Sequence, residues 1–192
     1  MYTQSLLAVI AMLGNLAASA PLTTRQSSPC FIIGDAELPV SVANIVTSLT
    51  PIITCSRNTR TLSGVPDVTS GSVTFSDIDF TRSSQSPLQF ALAEFAANED
   101  NLADTDLQRF EDSLNVYLAT EAGIRSVSGG LAIKVPKFFL EMQVSRIRTA
   151  QGNPPTEPGL QVNHLRDKVT KNAARESQEL LDQVIALAAK LQ

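Results

Sequence analysis

Residues 88–117 read LQFALAEFAANEDNLADTDLQRFEDSLNVY, and their spacing decides the fold class. Leu88, Leu92 and Phe95 fall four and three residues apart; after a polar break, Leu107, Phe110, Leu114 and Tyr117 repeat the pattern. Each set lies on one face of a helix, because side chains three and four apart stack on the same side of a 3.6-residue turn. The stretch predicts a helical hairpin whose two apolar faces need partners. Its second arm carries Thr105 and Gln108 at capping-box spacing, with Asp104 and Asp106 favouring the positive end of the helix dipole. That arm is expected to run to about Arg125 and to end before Gly129-Gly130.

The chain downstream supplies the partners. Pro136, tolerated in a first turn, opens a third helix that continues through KFFLEMQVSRIRTAQ to Gly152, with Phe138, Phe139, Met142 and Ile147 mostly on one side. Asn153-Pro154-Pro155 to Pro158-Gly159 forms a stiff linker that excludes helix. From Leu160 to Leu191 a last helix is marked by a seam of Val162, Leu165, Val169, Ala173, Leu180, Val184, Leu187 and Leu191. Its middle, Lys171 to Gln178, is polar on most sides, which predicts a kink or exposure there.

Upstream the pattern is weaker. Leu38 to Leu49 opens with Pro39 and spaces Val42, Ile45, Val46 and Leu49 for one face of a short helix, although its β-branched content also suits a strand. Ser56 to Ser86 is rich in Ser, Thr, Gly and Pro and reads as a loop holding one short strand, Ser72 to Phe80. Leu131 to Val135 is that strand's candidate partner; the alternative is that both are extended linkers packed on helices. Cys30 and Cys55 are the two cysteines, and in an oxidising compartment an even count argues for one bridge. Closing such a loop contributes about 3 kcal/mol in the chain-entropy model.

These elements predict a mostly α fold: an antiparallel four-helix bundle with an N-terminal disulfide-bridged segment and at most a minor two-stranded β element. The expected division is a signal peptide over 1–20, a disulfide-containing and Ser/Thr-rich segment over 21–86, and a helical bundle domain over 87–192. The length, 192 residues at 43% hydrophobic content, suits one ordinary domain with appendages. Trp is absent and aromatic content is 5%, so the core is expected to be aliphatic.

Leu6 to Leu16 is an apolar run followed by Ala18-Ser19-Ala20, small residues at the positions a signal peptidase reads. The run is shorter than the ~20 apolar residues needed to span a bilayer. The expected localisation is secreted and extracellular, and the protein is not expected to span a membrane. Charge divides along the chain: Pro87 to Gly130 holds two basic and eight acidic residues, Leu131 to Gln192 nine basic and six acidic, so the halves attract. A net charge of −4 without a dense basic face argues against nucleic acid.

Candidate sites are few. His164, the one histidine, precedes Asp167 by a helical turn, and a hydrolase would need a nucleophile such as Ser177 beside them; no Gly-x-Ser-x-Gly accompanies the pair, and a helical salt bridge is the expected reading. Glu99, Asp100, Asp104 and Asp106 gather at the hairpin turn but lack the glycine and distal glutamate of a calcium loop. Asp77 and Asp79 would project from one side of a strand, as a glycosidase pair does, without aromatic residues for sugar stacking. No catalytic residue, metal site or cofactor is therefore assigned. Phe138, Phe139 and Met142 read as core, or as the lining of a cavity for an apolar ligand.

The stretches SQSPLQFALAEFAANED and GGLAIKVPKFFLEMQVSRIRTAQG, with a leader ending in Ala-Ser-Ala-Pro, resemble uncharacterised small secreted proteins of filamentous fungi. The resemblance implies an origin and a compartment and carries no site residues. The expected function is a secreted, non-enzymatic protein binding at a cell surface such as a cell wall, a host component or a hydrophobic interface. The alternative is an extracellular carrier of a lipid or small apolar ligand held between helices.

Overall fold

A computed structural model of the chain describes residues 28–97 and 101–192. The leader expected over 1–20, the residues following it to 27, and Glu99 and Asp100 of the hairpin turn lie outside the described residues. Regular structure runs in the order α1 (Val40–Leu49), β1 (Thr54–Arg60), β2 (Pro66–Ser70), β3 (Val73–Thr74), α2 (Pro87–Phe95), α3 (Leu107–Ser126), α4 (Lys134–Ala150), α5 (Val162–Asn172) and α6 (Gln178–Ala189).

Six α-helices among the described residues, together with a three-stranded antiparallel sheet, replace the expected four-helix bundle and its two-stranded element. The sheet, in order β1-β2-β3, forms inside the Ser/Thr/Gly/Pro-rich stretch read as loop, pairing Thr54 with Thr69, Cys55 with Val68 and Ser70 with Val73. Strand β1, TCSRNTR, is polar on both faces and exposed over most of its length, so it shows none of the alternation that marks a half-buried strand. Leu131 to Val135 is not the partner of β3: Ala132 and Ile133 make the turn into α4, which starts at Lys134 with Pro136 in its first turn. The stretch 72–80 holds only the two residues of β3, followed by short 3-10 turns at Phe75–Asp77 and Phe80–Arg82.

The helical elements lie close to their expected places. The hairpin arms appear as α2 and α3, but the capping box belongs to α2, where the Ser86 hydroxyl accepts from Gln89 N and the Gln89 side chain accepts from Ser86 N. At α3 the cap is Asp106, which accepts from Arg109 N, not Thr105. The last helix breaks at Ala173–Ser177, within its polar middle, giving α5 and α6.

Helix α3 is the axis of the fold. It packs against β2, β3 and α1 on one side and α4 on the other, while α4 also carries α2 and α5, and α6 packs on α5 and α2. One buried cluster runs from Phe31 through Val65, Phe75, Tyr117 and Phe139 to Ala188. At its centre Tyr117 sits edge-on to Phe75 and Phe95, with ring centroids 5.1 and 5.6 Å away. The Tyr117 hydroxyl donates to Ile78 O at 2.7 Å, which holds the turn after β3 against the helix.

Small residues on α3 let the N-terminal segment approach. A Cβ on Gly123 would lie 2.5 Å from Phe31 O and 2.8 Å from both Val65 methyl groups. One turn on, the Ser126 hydroxyl accepts from Ile33 N and Gly34 N, each at 3.1 Å, and Ser126 O accepts from Ala36 N. The Cys30–Cys55 disulfide, with Cα atoms 6.1 Å apart, joins this segment to β1. Such a bond is consistent with an oxidising, extracellular setting. No helix of the described residues is long and apolar enough to cross a membrane.

Candidate functional site

A groove of about 510 Å³ opens where α1, α3, α4 and the proline linker converge. Its walls follow from helical spacing. Helix α3 contributes Glu111, Leu114, Asn115 and Leu118, and α4 contributes Glu141, Val144, Ser145 and Arg148; each set repeats at three and four residues along one face. Ile45, Ser48 and Ile52 from the α1 side and Pro155 and Leu160 from the linker complete it. Ile52 and Leu160 are 47% and 42% exposed, so the rim is apolar as well as the floor. The volume falls within the roughly 300–1,000 Å³ range of small-ligand sites.

Polar groups stand at defined points along this apolar surface. The Arg148 guanidinium holds Glu111 from across the α3–α4 interface, through both Nε and Nη2. Glu141 takes Lys137 Nζ at 3.6 Å, and Lys137 reaches across to Glu121 on α3 at 3.1 Å. Arg125 closes the network, donating from Nε and Nη2 to Glu121 Oε1 at 2.9 and 2.7 Å. The acidic α3 and basic α4 thus meet through specific pairs, in keeping with the charge division along the sequence. Ser145 is 2% exposed, and its hydroxyl has no hydrogen-bond partner among the described residues.

Burial pushes the Glu141 carboxyl above the ordinary carboxylate range; Lys137 and Lys168 pull the other way, and Glu121 adds to the rise. A group whose pKa is raised on folding contributes stability below its unfolded value, and that contribution is lost as pH rises through the folded value. Glu141→Gln is therefore expected to be more stable than the parent at pH 7, with the difference disappearing as pH is lowered through the raised pKa toward the ordinary carboxyl value of 4.5. Urea midpoints of both proteins across that range measure it, and a difference that stays constant with pH would contradict the assignment.

The residues singled out from the sequence lie elsewhere. Phe139 and Met142 are fully buried in the main core, and Phe138 is half-buried with Lys137 Nζ 3.7 Å from its ring centroid. None of the three lines the α1–α3–α4 groove. His164 is exposed on α5, and Asp167 pairs with Arg166 at 2.7 Å instead of with His164. Ser177 stands at the start of α6. Asp77 and Asp79 do not share a strand face: Asp79 is buried and caps the Phe80–Arg82 turn through Thr81, while Asp77 is exposed. Asp77 lines a second groove, of about 380 Å³, with Glu94, Thr105 and Arg109. Asp104 and Asp106 are exposed, and among the described residues no three His, Cys, Asp or Glu side chains gather closely enough to hold a metal ion.

A family model described as a domain of unknown function, DUF7143, matches residues 32–192. The chain belongs to this family. No curated protein and no solved structure matches it. The DUF7143 match takes in the sheet, all six described helices and every residue lining the groove, and it starts two residues after Cys30. Sequence reasoning missed the groove of this DUF7143 chain because its lining is a second stripe, which shares only Leu114 with the predicted apolar face of α3. The recurrence of Leu114 with Leu118 and of Glu141 with Ser145 and Arg148 was the available signal. What that signal omits is α1, which is brought to this face by the docking of the N-terminal segment.

Proposed function

We propose that the protein is a secreted, non-enzymatic binding protein of filamentous-fungal type that engages apolar ligands or hydrophobic surfaces through the α1–α3–α4 groove. The observation that supports this is the groove itself, an open channel with apolar floor and rim, interrupted by a few fixed polar groups. The disulfide and the apolar N-terminal run support the extracellular setting. The carrier reading shifts from Phe139 and Met142, which fill the core, and the half-buried Phe138 to the groove residues.

The test uses N-phenyl-1-naphthylamine, an uncharged probe whose fluorescence rises in apolar surroundings. The protein recovered from the medium of a secreting host is expected to lack the leader, to be two hydrogens lighter than the reduced chain, and to bind the probe saturably. Ile52→Glu combined with Leu160→Glu places two charges on the rim, at positions exposed enough to leave folding intact, and is expected to weaken binding at least tenfold. No saturable binding, or equal binding by the doubly substituted protein, would sink the proposal.

A further inference from the structure

The charges along the groove are matched within the protein before any ligand arrives, Glu111 with Arg148 and Glu141 with Lys137. A carboxylate entering the groove would meet two acids and an arginine already engaged. An ammonium would have to displace Arg148 or Lys137 from its partner. In either case the incoming charge meets counter-charges already paired within the protein, so its loss of water is only partly offset.

Away from the Glu111–Arg148 pair, whose side chains are 26% and 42% exposed, the groove also holds neutral groups with unused hydrogen-bonding capacity. Ser145, one turn beyond Glu141 on α4, keeps an unpartnered hydroxyl beneath the groove surface. Asn115 donates from Nδ2 to the Ser70 hydroxyl at 3.2 Å, and its Oδ1 is not engaged among the described residues. Around these two positions stand Leu114, Leu118 and Val144. A hydroxyl both donates and accepts, so it can donate to Asn115 Oδ1 and accept from the Ser145 hydroxyl, two groups lining the same groove.

We propose that the groove takes an uncharged apolar molecule bearing a hydroxyl, of the fatty-alcohol or sterol class, with its oxygen at Asn115 and Ser145 and its hydrocarbon along Leu114, Leu118 and Val144. This rests on the binding function proposed above and names the ligand chemistry. The charged pairs at Glu111–Arg148 and Glu141–Lys137 then act as selectors against ionised heads, while the hydrocarbon supplies the affinity.

Displacement of N-phenyl-1-naphthylamine by three ligands with the same twelve-carbon chain tests the class: dodecan-1-ol, dodecanoate and dodecylammonium, each below its aggregation concentration at pH 7. Dodecan-1-ol is expected to displace the probe at about tenfold lower concentration than either ion, a tenfold ratio being the smallest that a buried hydrogen bond and an avoided charge burial should give. Ser145→Ala is expected to narrow that ratio, each displacement being read against the variant's own affinity for the probe. Equal displacement by all three, or preference for an ion, would overturn the hydroxyl class and leave the binding function standing. Absence of probe binding would overturn both. The head-group comparison needs only the unsubstituted protein, so it decides the matter even if Ser145→Ala fails to fold.

Discussion

Glu121→Ala is expected to destabilise the protein by about 3–5 kcal/mol, the cost of leaving a buried charge without its partner. The Glu121 side chain is 5% exposed and binds two cations: Lys137, whose side chain is 8% exposed, and Arg125, whose side chain is 20% exposed. Without Glu121, Arg125 can turn toward water, but Lys137 cannot do so without uncovering the α3–α4 interface. Its remaining partner, Glu141, is 3.6 Å away and is itself resistant to ionisation. A lower urea midpoint at unchanged slope is the expected observation. Combining Glu121→Gln with Lys137→Met removes the stranded charge and should recover most of the loss. A cost below about 1 kcal/mol for Glu121→Ala would mean that water reaches the pair as it does an ordinary surface bridge.

Tyr117→Ala should cost a similar amount, about 3–5 kcal/mol, for a different reason. Tyr117 is fully buried among Phe75, Phe80 and Phe95, which come from the turns after β3 and from α2. Truncation opens a cavity at the point where those elements meet α3, and their backbones are too constrained to collapse into it. Tyr117→Phe separates the two contributions. It keeps the ring and loses only the hydrogen bond to Ile78 O, so about 1–3 kcal/mol is expected. If the two substitutions cost the same, the hydroxyl and not the aromatic packing would be holding the turn. Equilibrium urea unfolding of both variants decides between these.

The helices were legible because their apolar residues are spaced for burial on one side, and α2, α3, α4 and α1 begin and end within a few residues of the expected positions. The sheet was not legible. Its outer strand, SRNTR after Cys55, has no buried face to leave a pattern, and its inner strand is short and begins at Pro66, a residue that argues against a central strand. What makes β2 central is the arrival of α3 beneath it: Ser70 donates to the buried Asp112 carboxylate at 2.8 Å, and the Gly71 turn fits against the same group. That contact spans 42 residues and leaves no local trace. The last helix was expected as one helix with a kink or exposure over Lys171 to Gln178; the chain instead breaks within that stretch into α5 and α6, since it offers no continuous face. The groove required knowing where α1 lies, and α1 is positioned by backbone bonds to Ser126 that no periodicity encodes.

The Ser126 clasp also sets an order of events as the chain is made. Ile33 receives its anchor from a residue 93 positions later. At a synthesis rate of about 5–20 residues per second, the N-terminal segment waits roughly 5–20 s before the end of α3 exists to receive it. Cys30 and Cys55, only 25 residues apart, can meet well within that interval. The covalent loop is then a holding device. It keeps Phe31 and α1 near the sheet through a period in which their final contacts have not been translated, and it limits the time an apolar segment spends with no partner while the rest of the chain emerges.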